Sequence, residues 1–343
     1  MMKRSIGSRS RSLAWSLLIL TAAVNAGLAQ GETLQKGQVA VTFTYLRSDT
    51  GESFNFFGDR MRIIPPAGPS FRGSSETDVY STDMAWGLTN KLELHVSVPF
   101  ARGKVSSIGA DGQALDTPDQ SPSSSGLSNI RFGARYNFVS EPFFLTAKFD
   151  AKAPAGTPDP ERLFSGASLP IREGQWDFDL TGQVSKGVSL FGRRLSIGGE
   201  AGVRFRLEQS DGGFDTFTRQ AVPVKPANEF VYNFRATYGL LPLLSISLYG
   251  DGLAQGDFDV PFRFARVSND GDGITVGTLG NIPAGFKPDF GQQTGRRIFS
   301  LGPLATVNLT SRTSVTGGVL FAVAGRNYPA GQFWVLSVSR FFR

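Results

Sequence analysis

The sequence predicts an all-β, membrane-spanning antiparallel up-and-down β-barrel of about 12 strands, with short turns on the periplasmic rim and long extracellular loops. Three observations carry this. Long stretches alternate apolar and polar residues with a period of two, the links between them alternate short and long, and no apolar run after residue 30 nears 18 residues. A membrane-crossing helix needs about 20 such residues, whereas a crossing strand needs about 9 to 11.

The alternation is plain along the chain. Val39, Val41, Phe43 and Tyr45 share one face, as do Leu92, Leu94, Val96, Val98 and Phe100. Ile130, Phe132, Ala134, Tyr136 and Phe138 repeat it, as do Trp176, Phe178, Leu180, Gly182 and Val184. The run from Leu195 to Leu207 and the run Phe230, Tyr232, Phe234, Ala236, Tyr238 follow the same rule. Successive strand side chains point to opposite faces, so each segment has one apolar and one polar face.

The expected strands lie near 37–46, 77–88, 91–104, 127–138, 143–153, 175–186, 194–207, 229–240, 243–254, 296–309, 313–324 and 332–342. Many reach ten residues, against the five or six usual in soluble sheets. Tight links fall at Thr89-Asn90, Val139–Pro142, Gly187–Arg193, Leu241-Pro242 and Thr310–Arg312. Long ones span 47–76, 105–126, 154–174, 208–228 and 255–295, with a shorter one at 325–331. Short turns on one rim and long loops on the other match outer-membrane barrels. Aromatic residues at strand ends (Tyr80, Trp86, Phe100, Phe138, Phe143, Trp176, Tyr238, Trp334) suit interfacial girdles.

Residues 1–29 read as a signal peptide: a basic stretch, the apolar run from Leu13 to Leu20, then small residues around Ala26 and Ala29. Residues 30–343 then form a single outer-membrane barrel domain. The charge agrees. There are 35 Lys and Arg against 29 Asp and Glu, or +6. Removing Lys3, Arg4, Arg9 and Arg11 leaves 31 against 29, or +2. So small an excess gives no nucleic-acid-binding surface. The chain has no cysteine, which removes disulfides, thiolate metal sites and cysteine nucleophiles. Its one histidine is His95, so no metal centre and no cofactor are expected.

Several stretches resemble the phenol MetA-pathway family of outer-membrane transporters. They are Gly87-Leu88-Thr89-Asn90-Lys91-Leu92-Glu93-Leu94 followed by Val96–Phe100, and Gly126–Tyr136. The strand Leu145–Ala153 running into Pro154-Ala155-Gly156-Thr157 is the third. The family often has Asp where Asn129 stands. The resemblance covers about residues 77–157 and implies passive uptake of small, often hydrophobic or aromatic molecules, with no catalytic residues. The chain's end, Phe333–Arg343, resembles the terminal strand that barrel-assembly machinery reads, although Arg343 follows the usual final aromatic.

The strand phase that turns the apolar set outward turns Arg131, Arg135, Lys148, Asp150, Asp177, Asp179, Arg204, Arg206 and Arg235 inward, with Glu93, His95, Lys152, Glu200 and Asp251. Charge on the lipid side costs about 2–4 kcal/mol for Arg or Lys at the midplane. These residues are expected either to brace the lumen through cross-strand ion pairs or to screen permeants along a ligand path. The loop bearing Phe54, Phe56, Phe57, Ile63, Ile64 and Phe71 is too apolar to stay in water. It is expected either to fold into the barrel mouth or to settle on other loops. Asp257, Asp259, Asp270 and Asp272 lack the spacing of a calcium loop and read as solvated. The expected partners are outer-membrane lipid and lipopolysaccharide, the barrel-assembly machinery and a small-molecule permeant. Two other classes stand beside a channel: a structural or adhesion barrel with a closed lumen, and a barrel hydrolase using His95 with Ser97 or Ser81. No Gly-x-Ser-x-Gly elbow or nucleotide-binding loop occurs.

Overall fold

The protein is described by a computed structural model covering residues 33–54, 57–62, 72–108, 123–155, 174–215, 220–259, 265–269, 274–278, 292–293 and 295–343. The barrel strands are β1 (Val39–Thr50), β2 (Arg72–Gly87), β3 (Leu92–Ile108), β4 (Ser123–Leu127 continued as Ile130–Val139), β5 (Phe144–Ala153) and β6 (Asp177–Leu190). They continue as β7 (Arg193–Arg206), β8 (Glu229–Leu241), β9 (Leu244–Gln255), β10 (Arg297–Thr310), β11 (Thr313–Arg326) and β12 (Gln332–Phe342). Each pairs antiparallel with its neighbours in sequence, and β12 returns to β1 from Val39↔Phe342 to Asp49↔Gln332. Closure leaves no strand edge unpaired, as a hydrocarbon surrounding demands.

β4 is interrupted for a local reason. Opposite its break stands Pro99, which has no N–H to donate. Ser128 N donates instead to the Pro99 carbonyl at 2.9 Å, and pairing resumes at Phe100↔Leu127 above and Ser97↔Arg131 below.

The outward face is apolar over a limited height. On β3 it runs from Leu92 to Phe100, nine residues whose eight steps climb about 20 Å at ordinary strand rise and barrel tilt. That is close to the ~25 Å apolar band of such barrels. Girdle aromatics mark both limits: Tyr80, Phe100, Trp176 and Trp334 towards the long loops, and Trp86, Phe138 and Phe143 towards the short turns are all exposed.

β1, β2 and β3 extend further towards the long loops than the alternation foretold, to Thr50, from Arg72 and to Ile108. Above the girdle their outward residues are charged. Arg47 faces Asp78, which faces Arg102, and one step higher Asp49 faces Glu76, which faces Lys104. Arg47 reaches Glu76 at 3.1 Å, and the Tyr45 hydroxyl donates to Asp78 at 2.7 Å. The segments Glu52–Phe54, Arg60–Arg62 and Tyr328–Pro329 form a three-stranded sheet at this rim. At the other rim Leu34 is buried, its N–H donating to Glu93 at 3.0 Å, so the chain entering β1 seals against the β2–β3 turn.

Leu336 lies on the outward face of β12 near mid-strand. Leu336→Arg is expected to cost about 2–4 kcal/mol in reversible unfolding from lipid vesicles. A cost below about 0.5 kcal/mol would mean this face meets water.

Candidate functional site

The inward side chains divide the barrel interior into two walls. From β4 to β8 the wall is charged. Asp179 takes the Nε and Nη2 of Arg204 at 2.7 and 2.8 Å. Glu229 collects Arg204 at 3.0 Å, Arg206 at 3.1 Å and Arg296. Asp177 accepts from Lys152 at 2.8 Å and from Gln175 at 2.6 Å. Nearer the turns, Asp150 holds Lys148 at 2.8 Å and His95, and Glu93 faces Arg135 at 3.4 Å. Glu200 is satisfied by neutral donors instead: Thr181, Gln183 and Asn233 at 2.6, 2.7 and 3.0 Å. Paired carboxylates and cations interlock because antiparallel register sets them side by side, as in Lys152↔Asp177 and Arg204↔Asp179. Around Glu229 the upper cluster holds three acids (Asp177, Asp179, Glu229) and four bases (Lys152, Arg204, Arg206, Arg296).

From β9 through β12 to β3 the interior carries an apolar cluster, with inward hydroxyls nearer the turns such as Thr42 paired with Ser339 at 2.9 Å and Thr306 with Thr316 at 2.8 Å. Leu253, Ile298, Leu304, Leu320, Phe333, Val335, Leu46 and Val79 all point inward and touch one another in one cluster. Phe54 and Tyr328 join it from the three-stranded sheet at the long-loop rim. Phe54 can lie flat on β11 because Gly325 has no Cβ; an added one would come within 2.3 Å of the ring. A bulge at Val323 shifts the β10–β11 register between Phe299↔Ala324 and Ser300↔Ala322. Arg60 stacks over the Phe54 ring, 5.5 Å from its centroid, and donates to the Ala322 carbonyl beside that bulge at 2.7 Å.

Each residue expected to line the bore does face inward: Arg131, Arg135, Lys148, Asp150, Asp177, Asp179, Arg204 and Arg206 are buried, and Arg235 half-buried. Of the mouth-loop residues, Phe54 is inside the rim, while Phe57 is 84% exposed and takes no part in the cluster. Phe56, Ile63, Ile64 and Phe71 lie outside the described residues, as do Asp270 and Asp272. Asp257 accepts from the Gly295 N–H. His95 gives its Nε2 to Asp150, and Ser81 donates to Asp83 at 3.0 Å, so these hydroxyl and imidazole groups are not brought together.

Sequence reasoning missed Glu229 and Arg296, the hub of the upper cluster. Glu229 shares the polar face of the 229–240 run with Asn233 and Arg235, so alternation carries its phase, although the inward charges read from the sequence left it out. Arg296 stands at the first position of its expected strand. It also missed the apolar wall. The signal was available: Ile298-Phe299, Leu320-Phe321 and Phe333-Trp334-Val335-Leu336 are unbroken apolar runs, which in a barrel strand mean that both faces are apolar.

Fold and interior together define a membrane-spanning barrel of the outer-membrane kind, with a charged network on one side of its interior and an apolar cluster on the other. The chain belongs to the family described as "Putative MetA-pathway of phenol degradation", which matches residues 57–336. Among solved structures, an outer membrane channel from Pseudomonas putida F1 is similar at a TM-score of 0.62 and 15% identity, over 91% of this chain and 98% of that one. The transport unit of the autotransporter AIDA-I from Escherichia coli follows at 0.44 and 11% identity, over 97% and 99%. The translocator domain of the autotransporter NalP from Neisseria meningitidis gives 0.42 and 10%, over 94% and 91%. No curated protein matches the sequence.

Glu229→Gln would leave Arg204, Arg206 and Arg296 facing one another without their shared carboxylate. Breaking a buried ion cluster in this way is expected to cost about 3–5 kcal/mol in equilibrium unfolding. A loss under about 1 kcal/mol would show that the cluster is solvated and does not brace the barrel.

Proposed function

We propose that the protein is an outer-membrane channel for passive uptake of small hydrophobic or aromatic molecules. The observation that carries this is the two-sided interior. A bore meant only for water and ions would be lined by polar groups throughout, yet one side of this interior holds an apolar cluster withdrawn from water, where each apolar Å² is worth about 25 cal/mol. Binding sites for small organic molecules, by contrast, are mostly apolar with a few placed polar groups. The opposite wall supplies those groups. Membership of a family described by a phenol-degradation pathway supports the same permeant class. Uptake would be downhill: the sequence has no nucleotide-binding motif to drive it.

In this reading residues 1–29 are removed on export, and the charged rows above the girdle (Arg47, Asp49, Glu76, Asp78, Arg102, Lys104) meet lipopolysaccharide headgroups. Mass spectrometry of the membrane-extracted protein gives the cleavage point. The dense packing of the described interior favours a sealed structural barrel as the second reading, and one recording separates the two. The refolded protein in a planar bilayer is expected to conduct and to pass small arenes. Leu320→Asn, which places an amide in the apolar wall, should lower arene flux about tenfold, the worth of roughly 1.4 kcal/mol of lost apolar contact, and leave ion conductance nearly unchanged. A silent bilayer with correctly folded protein would establish the sealed barrel instead.

A further inference from the structure

Where the charged wall meets the apolar one, at the β8–β9 pair, the pattern of satisfied charges stops. Arg235 on β8 and Asp251 on β9 both face inward, yet among the described residues no carboxylate meets the first and no cation the second. Arg235 Nε and Nη2 are buried without a hydrogen-bond partner, and so is Asp251 Oδ1. Asp251 is 3% exposed. Between them stands Tyr249, directly across from Arg235 in the strand register, with the guanidinium 5.8 Å from the centre of its ring. Asp251 follows two residues along the same face, and Leu253 two further, where the apolar wall begins.

An unpaired ionisable group inside a membrane barrel is expensive and marks a functional site. The same molecule shows what the Arg235 edge is shaped for. In Arg204 the identical pair, Nε and Nη2, grips both oxygens of the Asp179 carboxylate at 2.7 and 2.8 Å. That side-by-side edge matches a planar carboxylate, which a lysine in its place would not. Asp251 is an acceptor awaiting a donor, and Tyr249 and Leu253 offer ring and aliphatic surface alongside.

We propose that Arg235, Tyr249 and Asp251 form a recognition site in the bore for a hydroxylated aromatic carboxylate. Its carboxylate would take the Arg235 edge, its ring would lie against Tyr249 and Leu253, and its hydroxyl would donate to Asp251. This deepens the channel reading and rests on it for the site's use in transport, though binding itself can be measured apart.

Calorimetric titration of the refolded barrel in detergent, with 4-hydroxybenzoate, benzoate, phenol and acetate as probes, tests the site. The parent protein should bind 4-hydroxybenzoate more tightly than any of the other three. Arg235→Gln should weaken 4-hydroxybenzoate and benzoate at least tenfold and leave phenol within twofold, as a hydrogen-bonded charge is lost. Asp251→Asn should weaken 4-hydroxybenzoate and phenol about fivefold and spare benzoate. Both variants should unfold at the same or higher denaturant concentration than the parent, because each removes a buried charge that has no partner. Arg235→Lys, which keeps charge without the paired edge, should behave like Arg235→Gln. The site is overturned if the parent binds the arene acid no better than acetate, if the variants bind it within twofold of the parent, or if both variants lose stability as braces would. Single-channel conductance of the same parent preparation judges the channel reading separately: conductance with no binding sinks the site alone, and binding without conductance sinks the channel alone.

Discussion

The structure rests on the refusal of hydrocarbon to hydrogen-bond. Every N–H and C=O on the lipid side must find a partner in the protein, and twelve antiparallel strands do this only by closing, β12 onto β1, in continuous register from Val39↔Phe342 to Asp49↔Gln332. Once the sheet is closed, side-chain alternation divides the sequence into an outer and an inner surface, and each half answers to a different solvent. The outer half is apolar only as high as the acyl chains reach. The inner half is freed from that constraint and can differ from one side of the bore to the other.

That freedom is used asymmetrically. β4 to β8 carry interlocked carboxylates and cations, where truncating one member leaves others buried and unpaired. β9 to β3 carry an aliphatic and aromatic cluster among inward hydroxyls, capped by Phe54 and Tyr328 from the rim sheet. The two walls explain how a polar bore can offer a path to molecules that prefer oil. They also explain why Arg235 and Asp251, which have no ionic partner among the described residues, occur at the seam where a molecule with both characters would lie.

Much of this was legible in the sequence because lipid enforces a period of two. Strand number, order and the lumen-facing charges from Arg131 to Arg235 followed from that period and from the short and long links. The upper reaches of β1, β2 and β3 were not legible: beyond Tyr80 and Phe100 the outward residues Arg47, Asp78 and Arg102 are as polar as inward ones, so alternation carries no phase. The apolar wall was hidden for the opposite reason, since in Phe333-Trp334-Val335-Leu336 both faces are apolar. Partner choice among charges, such as the three cations on Glu229, depends on shear between strands, which residue spacing does not encode.

The chain's lack of cysteine makes the two-sided interior directly measurable. Spin labels attached at Leu336→Cys, Ser337→Cys and Leu320→Cys in vesicle-embedded protein can be tested for collision with oxygen, which concentrates in the acyl chains. The label at position 336 should collide freely, and those at 337 and at the apolar position 320 should both be shielded. A label at 320 as open to oxygen as the one at 336 would place that leucine in lipid and dissolve the inner apolar wall.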